Sequence, residues 1–216
     1  MILGLGRIAL MINGPGSCAS WPPERRWLAG LLWADGHLAE DRRVHLNLVD
    51  EQTLAAAAAL VGRSYGTSPG KKRPGGGRYS PLHRLTFTDD EFVSALVSLG
   101  FGPKPLRPWP SALTSGAFLR GMFDGDGSVR WVLARNECTP HLRTVLSCQV
   151  PVLEGCQGWL TGRGFRPGCI VPRPHSPGSG QLQWAHYDSL RLAKLMYAEP
   201  GPYMTRKRAA FEQVSP

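Results

Sequence analysis

Leu28-Ala29-Gly30-Leu31-Leu32-Trp33-Ala34-Asp35-Gly36-His37 is matched, at a constant offset of 91, by Leu119-Arg120-Gly121-Met122-Phe123-Asp124-Gly125-Asp126-Gly127-Ser128. An internal duplication organises everything else in a chain. Each copy is an apolar run that predicts a helix. Gly30 and Ala34 are four residues apart, as are Gly121 and Gly125, so each pair shares one helix face. Glycine inside a helix costs about 1 kcal/mol relative to alanine. Its recurrence calls for a steric reason, and the absence of side-chain bulk lets two helix backbones come together. Two such helices, face to face, bring Asp35 and Asp126 to one place, with Gly36 and Gly127 as helix stops. Adjacent carboxylates repel unless a cation or a proton lies between them. Their oxygens suit a hard divalent ion such as Mg²⁺.

Both copies are followed by the same succession of elements. In the first half, strands at His37–Glu40 and Arg43–Val49 precede a helix at Glu51–Val61. Two more strands lie within Tyr65–Phe87, interrupted by the basic Gly-rich loop with Lys71, Lys72, Arg73 and Arg78; a helix at Asp90–Leu99 closes the half. In the second, strands at Ser128–Arg135 and Leu142–Gln149 precede a helix at Pro151–Thr161. Strands near Gly168–Arg173 and Gln181–His186 follow, then helices at Asp188–Ala198 and Thr205–Val214. The expected division is an arm over residues 1–21, halves at 22–106 and 112–216, and a Pro-rich linker at 107–111. Proline cannot continue a helix and stiffens connectors.

The paired signatures resemble those of the double-motif LAGLIDADG homing endonucleases, and the likeness spans nearly the whole chain after the first twenty residues. The resemblance implies an α+β fold of two pseudo-symmetric αββαββα halves, forming an antiparallel β-sheet saddle with helices on the back. It implies a monomeric, site-specific endonuclease that cuts double-stranded DNA at a long asymmetric target and leaves short 3′ overhangs. Two or three divalent ions, Mg²⁺ or Mn²⁺, are expected near Asp35 and Asp126, with the carbonyls of Ala34 and Gly125 as further ligands. A lysine after the last helix of each half is expected to steady phosphorane charge, and Lys104 and Lys207 fall there. A polar residue ending the second strand of each half is expected to orient water; Asp50 and Gln149 fit. Trp33 departs from the pattern, standing where the second copy has the acidic Asp124.

Period-two alternation assigns one strand face to the core and the other to a ligand. Counted from the two aspartates, the outward set includes His37, Arg43, His45, Asn47, Arg84, Ser128, Arg130, Gln181 and Gln183. Arg, Asn, Gln and His read base edges from strands laid in a major groove. The loop residues Lys71, Lys72, Arg73 and Arg78 suit phosphate. A net charge of +9 over 216 residues agrees with a polyanionic partner. Five cysteines without a Cys-x-x-Cys pair fit reduced thiols, with a zinc site at Cys138 and His141 a weak alternative. With no long apolar segment and no clear leader, the expectation is a cytoplasmic, nucleoid-associated or organellar protein, neither secreted nor membrane-bound. Retention of both aspartates favours a nuclease over the other roles of this architecture, an RNA maturase or a DNA-binding regulator without cleavage. An intein-borne origin has no splicing block to support it.

Overall fold

The computed structural model describes residues 18–69, 80–133 and 139–213. Helix α1 (Pro23–Asp35) begins with Pro23 in its first turn, where a missing N–H costs nothing. Its counterpart α4 (Gly116–Asp126) is capped by Ser115, whose hydroxyl accepts from the Phe118 amide. The two helices pack along their small faces. A Cβ on Gly30 would stand 2.0 Å from the Phe118 carbonyl oxygen, and one on Gly121 would stand 2.0 Å from the Trp27 carbonyl oxygen. These contacts are related by the 91-residue offset, so the duplication is also a twofold relation in space.

Each helix feeds directly into a sheet. The first has strands β1 (Gly36–Leu38), β2 (Val44–Leu48), β3 (Tyr65–Ser68) and β4 (Leu82–Phe87), ordered β1-β2-β4-β3. The second has β5 (Gly127–Val132), β6 (His141–Gln149), β7 (Cys169–Pro172) and β8 (Ser179–Trp184), ordered β5-β6-β8-β7. All pairings are antiparallel. Gly36 and Gly127 do stop their helices, but not in the left-handed conformation expected of a glycine stop. Both are extended (φ −71° and −88°) and are the first residues of strands. Glycine is needed there for space: a Cβ would press on the Leu32 carbonyl oxygen or the Phe123 ring.

Helices α2 (Glu51–Leu60) and α3 (Asp90–Ser98) belong to the first half, capped by Asp50 and Asp89 on the amides of Thr53 and Phe92. In the second half, α5 (Val150–Thr161) and α6 (His186–Met196) take the corresponding places, and α7 (Thr205–Glu212) follows. One face of each sheet is buried. Val44, Leu46, Leu48, Leu85 and Phe87 line the first core, and Leu142, Leu146, Leu182 and Trp184 the second. Both join one continuous apolar cluster through Leu31, Leu32, Phe118, Met122 and Phe123.

Parts of the Pro-rich stretch pack against the core. Trp33 Nε1 donates to the Pro108 carbonyl at 3.1 Å, and Trp109 lies edge-on to Phe118. Trp33 therefore takes a packing role where the second copy has Asp124. That carboxylate is fully buried and accepts from Trp27 Nε1 at 2.8 Å across the helix pair.

Candidate active site and nucleic-acid interface

The crossed ends of α1 and α4 put the two aspartates side by side. A Cβ on Gly125 would lie 2.6 Å from Ala34 Cβ and 2.9 Å from Asp35 Oδ2, so the Asp35 carboxylate rests against the last turn that carries Asp126. Burial, with the Asp35 charge second, pushes the Asp126 carboxyl up to about 6. Lys104, Lys207 and Arg173 act in the opposite sense. Among the described residues no side chain forms a hydrogen bond or ion pair with Asp126. Lys104 Nζ is 3.6 Å from Asp35 Oδ1, and the Asp35 side chain is 25% exposed. Lys104, Ala34, Asp126 and Gln149 line one small cleft, closed behind by Trp33, Arg107 and Cys148.

Two residues with expected roles in the site are engaged by other groups of the protein. Lys207 does not point at a carboxylate. Its Nζ donates to the carbonyls of Phe123 and Asp124, each at 2.7 Å, and of Gly125 at 3.2 Å. It is 4% exposed, and burial lowers its pKa to about 8. A buried ammonium with three acceptors satisfies the last-turn carbonyls that an α-helix leaves without partners. Asp50 is engaged as well. Its Oδ1 caps α2, accepting from the Thr53 amide at 2.9 Å and hydroxyl at 2.7 Å, and its Oδ2 lies 3.6 Å from Arg206 Nε.

Sequence reasoning passed over Arg107. Its guanidinium donates to the carbonyls of Leu32 (3.1 Å), Trp33 (2.6 Å) and Gly36 (2.8 Å), with Nε on Gly102 at 2.8 Å. Leu32 and Trp33 correspond to Phe123 and Asp124, so Arg107 is the structural counterpart of Lys207. Burial lowers its pKa to about 10. A basic residue shortly before the second copy of the motif was the available signal.

The outward faces of the sheets gather most of the predicted binding residues. His37 lies opposite His45 with the rings stacked, and Asn47 lies opposite Arg84, whose Nε donates to Asn47 Oδ1 at 3.0 Å. His45 Nδ1 is 2.9 Å from Thr86 Oγ1. In the second sheet Ser128, Arg130, Gln181 and Gln183 share a face with Arg143 and Ser147, which sequence counting omitted although β6 alternates legibly. Arg130 and Arg143 are directly opposite and exposed. Like charges so placed disfavour the sheet, an arrangement that a bound polyanion relieves. Arg43 precedes β2 and is engaged with Asp41, Nε to Oδ2 at 2.6 Å. Lys71, Lys72, Arg73 and Arg78 lie outside the described residues, as does Cys138 of the weak zinc alternative.

No group of three or more His, Cys, Asp or Glu side chains suited to a metal occurs among the described residues. The site offers two carboxylates and neighbouring carbonyls. This all-oxygen set, with no donor to Asp126 among the described residues, fits a hard divalent cation.

A scan against protein-family models finds no match, and neither does a comparison with curated protein sequences. Solved structures do match. The meganuclease I-AabMI bound to uncleaved DNA has a TM-score of 0.56 at 12% identity, covering 88% of both chains. I-GzeII in complex with its DNA target has a TM-score of 0.53 at 10% identity, covering 88% of this chain and 87% of the other. This chain has the LAGLIDADG homing endonuclease fold. I-SmaMI bound to cleaved DNA gives 0.56 at 10% identity, over 88% and 86%. No helix among the described residues is long and apolar enough to cross a membrane.

Proposed function

We propose that the chain is a site-specific endonuclease that makes double-strand breaks in DNA, using Mg²⁺ or Mn²⁺ held by Asp35 and Asp126. The observation that carries this reading is the convergence of two aspartates at the base of the helix pair, Asp126 with no side-chain donor among the described residues, beside outward sheet faces set with Arg, Asn, Gln and His. The neighbours named above were captured on DNA, one of them on cleaved DNA.

Phosphodiester hydrolysis needs an activated water and stabilised charge at phosphorus and at the leaving oxygen. Divalent ions, held by Asp35 and Asp126, would supply this by polarising water and phosphate. The chain's own groups do the rest. Asp35 and Asp126 bring negative charge to the helix junction and hold the cation there. The Ala34 and Gly125 carbonyls extend the oxygen set, although Lys207 already donates to Gly125. Lys104, 46% exposed beside Asp35, would steady the charge that develops on a phosphate bound there. Gln149 offers an amide to orient water. Arg107 and Lys207 hold the two helix ends in place.

The sheets position the duplex so that its two strands meet the two aspartates near the twofold axis. One asymmetric target, short 3′ overhangs and action as a monomer complete the proposal. Selection of cut sites from a randomised plasmid library in Mg²⁺ tests it. One long preferred site is expected. Asp35→Asn and Asp126→Asn should each stop double-strand cutting by at least 100-fold while leaving duplex binding within threefold in a gel-shift measurement. Tight site-specific binding without any cut by the native chain would favour a regulator of the same fold.

A further inference from the structure

Away from the aspartate pair, two imidazoles share one outward sheet face. His37 on β1 and His45 on β2 are directly opposite each other, with rings 20° from parallel and centroids 6.2 Å apart. Residues so paired in an antiparallel sheet carry their Cβ atoms about 5 Å apart on one face. His37 is exposed, and its side chain forms no hydrogen bond or ion pair among the described residues. Turning its ring edge toward His45 therefore breaks no such bond.

His45 is already oriented by a third strand. Its Nδ1 lies 2.9 Å from the Thr86 hydroxyl on β4. With Nδ1–H donating to that hydroxyl, a lone pair is left on Nε2. A hydrogen bond on the far ring nitrogen is the usual support of a histidine that ligates a metal, because it fixes both tautomer and ring orientation. The other close histidine pair lacks this arrangement. His141 and His186 have centroids 6.1 Å apart, but their rings meet edge to face at 64°. His186 Nδ1 accepts from the Leu142 amide at 3.1 Å, so the neutral ring keeps its proton on Nε2 and has no lone pair to offer. His83 is buried, with its Nδ1 against Thr67 Oγ1 at 2.9 Å.

We propose that His37 and His45 form a cross-strand site for a borderline divalent transition ion such as Zn²⁺ or Ni²⁺. Imidazole nitrogen suits these ions, whereas carboxylate and carbonyl oxygens suit Mg²⁺. β1 begins directly after Asp35, so two sites of different chemistry are neighbours in the fold and select different ions. Each ring ligates through one nitrogen at about 2.0 Å. Two protein ligands leave the remaining positions to water. Thr86 is a positioning residue, orienting the His45 ring without touching the ion. The proposal stands apart from the endonuclease reading, since it concerns ion binding by the chain without DNA.

The experiment titrates Ni²⁺ into the full chain, reduced and stripped of metal, and follows the histidine ring protons by NMR. Paramagnetic Ni²⁺ broadens the nuclei beside it. His37 and His45 are expected to broaden together, ahead of the other four histidines, and to saturate at one ion per chain. In calorimetric titrations His37→Gln and His45→Gln should each weaken this binding at least tenfold, and Thr86→Val about tenfold. Asp35→Asn, Asp126→Asn and a large excess of Mg²⁺ should each leave it within threefold. Circular dichroism of the variants should match that of the native chain, and the broadening pattern of the native chain decides the matter even where a variant does not fold. Broadening that begins at His141 and His186, or that reaches only one of His37 and His45, overturns the proposal. Binding that survives His37→Gln unchanged, or that Mg²⁺ displaces, overturns it as well and leaves the endonuclease reading standing. Absence of cutting in Mg²⁺ or Mn²⁺ would sink that reading alone.

Discussion

Asp126 carries the tension between stability and function in this molecule. Burial and the Asp35 charge raise its carboxyl to about 6 in the folded chain, against about 4 when unfolded. A raised acid pKa means that the native state holds a proton the unfolded state has released. Without divalent ions the stability from this group is present below pH 4 and is lost as pH rises to about 6, amounting to about 2 kcal/mol. Asp124, buried and bonded to Trp27, is also raised to about 6 and acts in the same direction. Asp126→Asn should therefore raise the melting temperature of the ion-free protein at pH 7 and flatten its pH profile between 4 and 7. Millimolar Mg²⁺ should stabilise the native chain and not this variant. Lys207→Met tests what its bonds to the helix end contribute to stability. Leaving buried carbonyls of Phe123 and Asp124 without a donor should cost about 2 kcal/mol in urea unfolding, with the loss persisting when no divalent ion is present.

Among the elements, the pair α1 and α4 decides whether the halves meet correctly. Gly30 and Gly121 face carbonyl oxygens of the opposite backbone, which cannot rotate away as a side chain could. Gly30→Ala should lower stability by about 3 kcal/mol by overpacking, against a gain of about 1 kcal/mol in helix propensity. Thermal melting measures the difference, and Gly121→Ala should behave alike because the contact is the same one reversed. Gly66, on an exposed strand with open space around it, should tolerate alanine. The sheets follow from alternation: β2 buries Val44, Leu46 and Leu48 and presents His45 and Asn47, as counting in twos requires. The same counting succeeds on β4 and β8.

For the whole molecule, net charge and surface pattern act together. The charge of +9 and the exposed Arg84, Arg130 and Arg143 point to phosphate contacts that release counterions. With about six such contacts, raising salt from 50 to 200 mM should weaken duplex binding about 1000-fold. A filter-binding titration across salt reads the slope. Arg143→Gln should reduce that slope by about one unit if Arg143 meets phosphate, and should narrow or relax the site at one position if it reads a base.

The motif repeat, the alternating strands and the order of elements were legible before any coordinates, because helix and strand periods are written locally in the positions of apolar residues. The recurrence of small residues at the 91-residue offset implied that the two helices pack by those faces. What no local pattern encodes is which polar group meets which partner after the chain closes on itself. Lys104 and Lys207 look equivalent along the chain, yet one stands beside Asp35 and the other is buried under three carbonyls. Asp50 and Gln149 end equivalent strands, yet only Asp50 caps a helix and meets Arg206. Arg107 stands shortly before the second motif copy, but only packing placed it over the end of α1. Local sequence thus determined the elements and the two acidic positions. The tertiary structure alone decided the duties of the surrounding cations, because a buried polar group takes whatever acceptor the finished packing sets within about 3 Å of it.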